Sequence, residues 1–262
     1  MSGDALSSTV NGVGERVVLV HGFTQTARSW HPIADRLTAR FEVIAVDAPG
    51  HGGSAGVIAD LPGAADLLVA TGGAATYVGY SMGARICLHA ALAHPDQVER
   101  LVLISGTAGI DDEAERASRR DADEALADSI ERDGVERFLD RWLAQPLFAT
   151  LPPATAGAED RRRNSASGLA ASLRHAGTGT QLPLWDRLGE LAMPVLLVAG
   201  ALDAKFVVLA QRMAGLIPKA QLVAVPHAGH TVHLEQPERF LHALTHFLDP
   251  ASPPVRGACP SA

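Results

Sequence analysis

The sequence predicts an α/β protein with a mostly parallel central sheet flanked by helices. Short apolar runs rich in Val, Leu and Ile alternate with longer stretches of helical periodicity. A Gly-x-Ser-x-Gly motif lies where one predicted strand turns into a helix. The 262 residues are enough for one well-buried domain with an insertion. In such a sheet, ligands bind beyond the carboxyl ends of the strands.

Each element follows from local periodicity and from its boundary residues. Apolar runs bounded by Gly, Pro or Asp predict strands, and longer alanine- or charge-rich runs predict helices. The predicted strands are 16–20, 41–46, 75–78, 101–104, 194–199 and 221–225. The predicted helices are 30–37, 61–70, 82–94, 114–131, 135–143, 159–173, 206–216 and 237–248.

The alternation of strand and helix is interrupted once. Between residues 106 and 190 charged helical stretches with few β-branched residues replace it, which predicts a helical lid inserted between two strands. The core is then 15–105 together with 191–249. Residues 1–14 are expected to be a flexible tail, and residues 250–262 a disordered one.

Composition narrows the possible partners and the compartment. Hydrophobic residues make up 47% of the chain and charged residues 19%, as in soluble globular proteins. The net charge of −7 gives no general attraction to nucleic acid or to anionic membranes, and no apolar run approaches the roughly 20 residues of a membrane span. The polar start lacks a signal-peptide pattern, and the two cysteines suggest no disulfide framework. We therefore expect a cytoplasmic protein with no nucleic-acid partner and no membrane insertion, and the oligomeric state stays open.

Ser81 is the predicted nucleophile because it occupies the turn between a buried strand and a helix. Gly79 and Gly83 flank it and allow neighbouring backbone to pass close to a strained serine. The strain lifts the hydroxyl above the sheet, and the N-terminus of the following helix favours negative charge beside it.

A serine hydroxyl needs an imidazole to take its proton, and the imidazole needs a carboxylate to fix its tautomer. After such an elbow the chain order is serine, acid, histidine. Asp203 and His230 each follow a predicted strand, so we expect both at the sheet edge where Ser81 lies. The alternatives are Asp203 as a helix cap, Asp111 or Asp112 as the acid, and His227 or His233 as the base. A metal site made of His227, His230 and His233 is disfavoured because no further ligand cluster accompanies them.

Two backbone N–H groups are expected to form an oxyanion hole. One belongs to Met82, directly after the serine, and the other to Phe23, in the loop after the first strand. Arg85 lies one helical turn after Ser81, and helical side chains lean toward the N-terminus, so Arg85 should point toward the elbow. From the residues alone, Arg85 is equally well explained as an ordinary buried ion-pair partner.

Several motifs together resemble one family of enzymes. From residue 16 to residue 248 the chain resembles the α/β-hydrolase superfamily, and within it the 2-succinyl-6-hydroxy-2,4-cyclohexadiene-1-carboxylate synthase family of menaquinone biosynthesis. The motifs are Val20-His21-Gly22-Phe23, Pro49-Gly50-His51-Gly52, Gly79-Tyr80-Ser81-Met82-Gly83-Ala84-Arg85, Glu115-Arg116-Ala117-Ser118-Arg119, Trp142-Leu143-Ala144-Gln145-Pro146-Leu147-Phe148, Gly177-Thr178-Gly179-Thr180-Gln181 with Leu184-Trp185, Asp203-Ala204-Lys205-Phe206, and Gly229-His230-Thr231-Val232-His233. One departure is Ala84, where many members have a second glycine.

The resemblance implies a lyase on a hydrolase fold. Such an enzyme removes pyruvate from a cyclohexene substrate that carries several carboxylates, and Ser81, activated by His230 and Asp203, abstracts a proton from carbon. It also implies that Arg85, Arg119 and Arg161 bind substrate carboxylates, while Tyr80 and Trp142 shape the pocket. By themselves the charges of the lid are typical of a solvated helix face. The implied partner is a small anionic substrate, and no cofactor or metal is needed.

The alternative is a serine-dependent hydrolase of the same fold, acting on an ester or a carbon–carbon bond of a small carboxylated substrate. It would share Ser81, Asp203 and His230, so these three residues do not distinguish the two activities. Arginines in the pocket would exclude only a hydrolase of an apolar substrate, because such a substrate has no use for them.

Overall fold

The central feature of the fold is a seven-stranded sheet in the order β1-β3-β2-β4-β5-β6-β7, seen in a computed structural model that describes residues 5–249. Its strands are β1 Ser8–Asn11, β2 Glu15–Val20, β3 Phe41–Val46, β4 Ala75–Tyr80, β5 Val98–Ile104, β6 Val195–Gly200 and β7 Ala220–Val225. Neighbouring strands pair in parallel, except that β1 runs antiparallel to β3. The carboxyl ends of the parallel strands therefore meet at one edge.

Helices cover both faces of the sheet, and this explains why its strands are continuous apolar runs. Val18 and Val20 belong to the hydrophobic core on one face, and Val17 and Leu19 to the core on the other. Strands buried on both faces have no need of polar residues at alternate positions.

The helices follow the predicted positions with three differences, the first being an unpredicted short helix at Val232–Glu235. They are α1 His31–Leu37, α2 Leu61–Gly72, α3 Met82–Ala93, α4 Glu113–Leu143, α5 Ala158–Arg161, α6 Ala166–Ala176, α7 Ala204–Leu216, α8 Val232–Glu235 and α9 Pro237–Leu248. The two helices predicted at 114–131 and 135–143 are one run, α4, interrupted by the non-helical φ of 80° at Gly134. The helix predicted at 159–173 is two, since Ser165 caps α6 with its side chain at the N-terminus of that helix.

The expectation of a flexible tail over residues 1–14 is wrong for residues 8–11. These four residues form β1 and pair with β3 in register from Ser8 opposite Val46 to Asn11 opposite Val43. Exposed polar residues can form an edge strand because pairing needs only backbone groups. The tail predicted at 250–262 lies outside the described residues.

The segment between β5 and β6 contains α4, α5 and α6. Helices α4 and α6 pack on each other around a separate apolar cluster, which Phe23 and Trp142 join at its border. Phe23 follows β2 directly, so the cluster lies near the carboxyl ends of the strands. Whether this segment acts as a lid stays a prediction. Among residues 5–249, every helix is too short or too polar to cross a membrane.

Candidate active site

Ser81 lies in a sharp turn between β4 and α3 with φ 51° and ψ −106°. Such a conformation is strained for any residue with a Cβ. A Cβ on Gly83 would lie 2.2 Å from the carbonyl oxygen of Val20, and one on Gly79 would lie 2.3 Å from that of Gly83. The two glycines are therefore required by the close approach of backbone around the serine.

His230 links Ser81 to Asp203 by two hydrogen bonds. Its Nε2 lies 3.1 Å from Ser81 Oγ, and its Nδ1 lies 2.8 Å from Asp203 Oδ2. The Nδ1–H tautomer leaves Nε2 free to accept the serine proton. Asp203 Oδ1 also accepts the N–H of Phe206 at 3.4 Å, so the same side chain caps α7. The two predictions for Asp203 are therefore compatible.

The alternative acids and bases are engaged elsewhere or lie apart from the serine. Asp111 pairs with Arg212 at 2.6 Å, and Asp112 caps α4 through the N–H of Glu115 at 2.7 Å. His233 is buried against Trp30 with ring centroids 4.3 Å apart, and His227 is exposed. No group of three or more His, Cys, Asp or Glu side chains among residues 5–249 is arranged to hold a metal ion.

The N–H groups of Phe23 and Met82 have no hydrogen-bond partner among the described residues. Met82 is the first residue of α3, where backbone N–H groups lack an intrahelical acceptor. Both residues line the cavity that contains Ser81. Two free donors beside a serine can stabilise negative charge on a carbonyl oxygen.

Arg85 lines this cavity, but its near partners are backbone carbonyls. Its Nη1 donates to Ala176 O at 2.8 Å and to Gly177 O at 3.2 Å, at the C-terminal end of α6. Burial lowers the pKa of Arg85 to about 10, so it stays charged at neutral pH. The remaining N–H groups of the guanidinium have no partner among residues 5–249. Within the described part of the chain Arg85 therefore forms no ion pair of the kind that the residues alone allowed, and part of its guanidinium is free for a ligand.

Arg161 is almost completely buried, and among residues 5–249 no carboxylate pairs with its guanidinium. Nε donates to Ala156 O at 2.8 Å, and Nη1 donates to Thr24 Oγ1 and, at 3.5 Å, to Phe23 O. Nη2 is buried without any partner within the described chain, and burial lowers the pKa of Arg161 to about 10. Arg119 instead pairs with Asp123 at 2.8 Å and is partly exposed. Arg85, Arg119 and Arg161 all line the same cavity.

The cavity has a volume of about 710 Å³ and brings together nine of the ten predicted site residues. The tenth, Asp203, is not in the lining but lies behind His230. Tyr80 donates or accepts a hydrogen bond with Thr231 Oγ1 at 3.0 Å, and its ring walls the pocket. Trp142 packs edge-on against Phe23 at 5.3 Å, and its Nε1 is buried without a partner in the described part of the chain.

Comparison with known proteins shows which family of proteins the chain is similar to. A model described as the alpha/beta hydrolase family matches residues 17–243. The chain is 37% identical to a putative 2-succinyl-6-hydroxy-2,4-cyclohexadiene-1-carboxylate synthase of Bacillus subtilis, over 89% of this chain and 90% of the relative. It is 33% identical to the synthase of that name from Serratia proteamaculans, over 88% and 92%.

The chain belongs to the 2-succinyl-6-hydroxy-2,4-cyclohexadiene-1-carboxylate synthase family of alpha/beta hydrolases. Solved structures agree with the alpha/beta-hydrolase fold of this family. MenH from S. aureus superposes with a TM-score of 0.85 at 31% identity, covering 93% of this chain and 97% of that one. A thermophilic esterase from Thermogutta terrifontis superposes with a TM-score of 0.79 at 25% identity, covering 93% and 92%. The resemblance and the fold inferred from the sequence are thus confirmed.

Two phenylalanines that were not predicted as site residues also lie beside His230 in this cavity. The Phe206 ring lies 4.5 Å from the His230 ring and that of Phe148 lies 6.4 Å from it, and both line the cavity. Both end motifs quoted above for the synthases, so a signal was present. The motifs name these residues but do not show that each ring points toward the imidazole.

Proposed function

We propose that the protein eliminates pyruvate from 2-succinyl-5-enolpyruvyl-6-hydroxy-3-cyclohexene-1-carboxylate and forms 2-succinyl-6-hydroxy-2,4-cyclohexadiene-1-carboxylate. A serine–histidine–aspartate chain and three arginines in one cavity support this most directly. The substrate is a small molecule with several carboxylates, which needs several cations around it. The names of the relatives support the same reaction.

The reaction begins with removal of a proton from ring carbon 2, which carries the succinyl carbonyl. Ser81 takes this proton as its own proton passes to Nε2 of His230, and Asp203 stabilises the resulting imidazolium through Nδ1. The electrons form a 2,3 double bond, shift the 3,4 double bond to 4,5, and break the bond from carbon 5 to the enolpyruvyl oxygen. The enolpyruvate that leaves becomes pyruvate when its methylene carbon gains a proton. The balance involves no oxidant or reductant.

The N–H groups of Phe23 and Met82 hold the charge that moves onto the succinyl ketone oxygen. Donors already in place cost no reorganisation when that charge develops. Arg85 and Arg161 bind carboxylates with their free N–H groups, and Arg119 contributes a cation at the more exposed side. The segment 106–190 acts as a lid that carries Arg119, Trp142 and Arg161 over Ser81 and excludes water. The cytoplasmic location that we inferred from the composition stays a prediction.

The test is pyruvate release from the substrate, which is generated in place because it is unstable. The preceding enzyme supplies it, and a coupled reduction of pyruvate reports the rate. The wild-type protein should release pyruvate well above the spontaneous rate, and Ser81→Ala should not. Pyruvate release at the spontaneous rate with folded wild-type protein would exclude the proposed activity.

The alternative is hydrolysis of an ester or a carbon–carbon bond in a small carboxylated substrate. The same serine and the same two free N–H groups would serve an acyl-enzyme mechanism, and the similarity to the Thermogutta esterase favours keeping this candidate. A burst of product followed by slower turnover with an activated ester, without pyruvate release from the cyclohexene, would support it.

A further inference from the structure

Thr24 has an unusual backbone conformation directly after the oxyanion-hole residue Phe23. Its φ is 70°, in the left-handed region that favours glycine. A residue with a branched Cβ enters this region only against strain, so the surrounding structure must hold it there. The peptide that joins Phe23 to Thr24 is therefore held by whatever fixes Thr24. The Phe23 N–H lies in the preceding peptide, whose carbonyl, Gly22 O, accepts the Gln25 N–H at 3.1 Å and lies 2.8 Å from His21 Nδ1. The backbone of Phe23 is thus held from both sides, and Thr24 supplies one of them.

Every polar group of Thr24 is hydrogen-bonded, and each bond comes from a different side chain. The backbone N–H donates to Nε2 of His51 at 3.2 Å. The backbone carbonyl accepts from Nδ2 of Asn164 at 2.7 Å. The hydroxyl accepts from Nη1 of Arg161.

His51 can act only as an acceptor toward Thr24. Its Nδ1 lies 3.0 Å from the carbonyl of Pro49, which fixes the proton on Nδ1 and leaves Nε2 unprotonated. The imidazole is fully buried, and its edge contacts Phe23 at a centroid distance of 5.7 Å. The ring thus holds a single tautomer and a single position beneath the loop.

Asn164 joins three segments at one point. Besides its bond to Thr24, its Nδ2 donates to Arg161 O at 3.0 Å, and its Oδ1 accepts the N–H of Gly52 at 2.9 Å. The side chain is 5% exposed. Asn164 therefore ties the loop after β2 to the loop after β3 and to the chain that leaves α5.

We propose that His51 and Asn164 are positioning residues that hold Thr24 in its left-handed conformation and so aim the Phe23 N–H at the substrate oxyanion. They act through Thr24 and contact no reacting atom. The inference rests on the proposed oxyanion hole, whose other donor, Met82, they do not touch. It adds a specific reason why the loop after β2 carries a threonine in a strained conformation.

The first test is Asn164→Ala, assayed by pyruvate release. Removing an oxyanion donor costs about 10²–10³ in kcat, and a displaced donor costs less, so we expect a loss of about ten- to a hundredfold. KM should stay within about threefold, because Asn164 bonds only to the backbone carbonyl of Arg161, and the guanidinium keeps its own bonds to Ala156 and Thr24. The rate at which a small neutral organophosphate modifies Ser81 should fall by the same factor, since its phosphoryl oxygen uses the same N–H groups. That second readout works even if the protein proves to be a hydrolase and releases no pyruvate.

A double-mutant cycle separates this role from a general loosening of the helices. Glycine adopts a φ of 70° without strain, so Asn164→Ala should cost about threefold or less in the Thr24→Gly background. The same large loss in both backgrounds would overturn the proposal. Ser165→Ala serves as the matched control, because it removes the side-chain cap of α6 next to Asn164 without touching Thr24. If it lowers the modification rate as much as Asn164→Ala does, the proposal also fails.

His51 gives an independent check through the chemistry of its acceptor. His51→Leu removes the acceptor and should lower kcat and the modification rate by at least tenfold. His51→Gln offers a side-chain oxygen to the Thr24 N–H and should recover part of both. Equal losses in two folded variants would contradict an acceptor role, and the Asn164 cycle decides the matter if either variant fails to fold.

Discussion

Replacing Arg85 by alanine should weaken turnover of a carboxylated substrate far more than hydrolysis of a neutral ester. Nη1 is occupied by two carbonyls at the end of α6, and the other guanidinium N–H groups remain for a ligand. A hydrogen bond between charged groups contributes about 1.5–3 kcal/mol. Arg85→Ala should therefore lower kcat/KM for the cyclohexene substrate by about ten- to 150-fold.

Arg85→Ala also removes the contacts to Ala176 and Gly177. The part of the activity loss that comes from this structural change must be separated from the part that comes from lost substrate binding. A cation near a helix C-terminus stabilises it by about 0.3–1 kcal/mol, and its loss also leaves two carbonyls without their donor. The neutral ester pairs with no arginine, so its hydrolysis reports the structural part of the loss alone. We expect that part to be no more than about threefold. Arg85→Lys keeps the charge but loses the planar two-pronged geometry, so it should recover only part of the activity.

The assay measures pyruvate release and p-nitrophenyl acetate hydrolysis in the same preparation of each variant. Arg116→Ala is the matched control, since its Nη1 also holds two carbonyls, Ile110 O at 2.8 Å and Asp111 O at 3.2 Å, but Arg116 does not line the cavity. It should affect both activities equally and weakly. Equal losses on the two substrates in Arg85→Ala would refute the reasoning and leave Arg85 a support for α6.

Two further predictions concern the acid of the triad and the response to pH. Asp203→Asn should lower kcat by about 10⁴ with the fold intact, because the imidazole loses its correct tautomer, whereas Asp111→Asn should change it only a few-fold; the opposite pattern in initial rates would move the acid to Asp111. Burial lowers the pKa of His21 from 6.5 to about 4, and those of His51 and His233 to about 3. The unfolded chain therefore binds protons that the folded chain does not. The free energy of unfolding is undiminished by these histidines above pH 6.5 and falls as the pH drops, toward pH 4 for His21 and toward pH 3 for His51 and His233, by up to about 1.4 kcal/mol per pH unit for each histidine. Urea unfolding at pH 7 and pH 5 measures this loss of unfolding free energy, and the loss should be smaller in His233→Phe. If the free energy of unfolding falls equally with pH in the two proteins, burial of His233 is not its cause.

The triad illustrates how much of the candidate site local sequence can predict. Ser81, Asp203 and His230 each follow a strand, and parallel strands place their carboxyl ends at one edge, so their proximity followed from the order of elements. Helical periodicity predicted that Arg85 points toward the elbow, and Arg85 lines the cavity in the structure. Its bonds to α6 were not predicted, because they join positions 91 and 92 residues apart in the chain.

The sequence by itself determined the strands, most of the helices, the strained serine turn and the candidate triad, since each depends on periodicity or turn chemistry within a few residues. Only the tertiary structure decided that residues 8–11 add an edge strand, because any exposed backbone could have paired there or stayed free. It also decided that Nη2 of Arg161 is buried without a hydrogen-bond partner among residues 5–249. The same packing brings His51 and Asn164 together on Thr24, 27 and 140 residues away along the chain. Such contacts arise from how distant segments pack, and each side chain in them is compatible with many other partners until that packing exists.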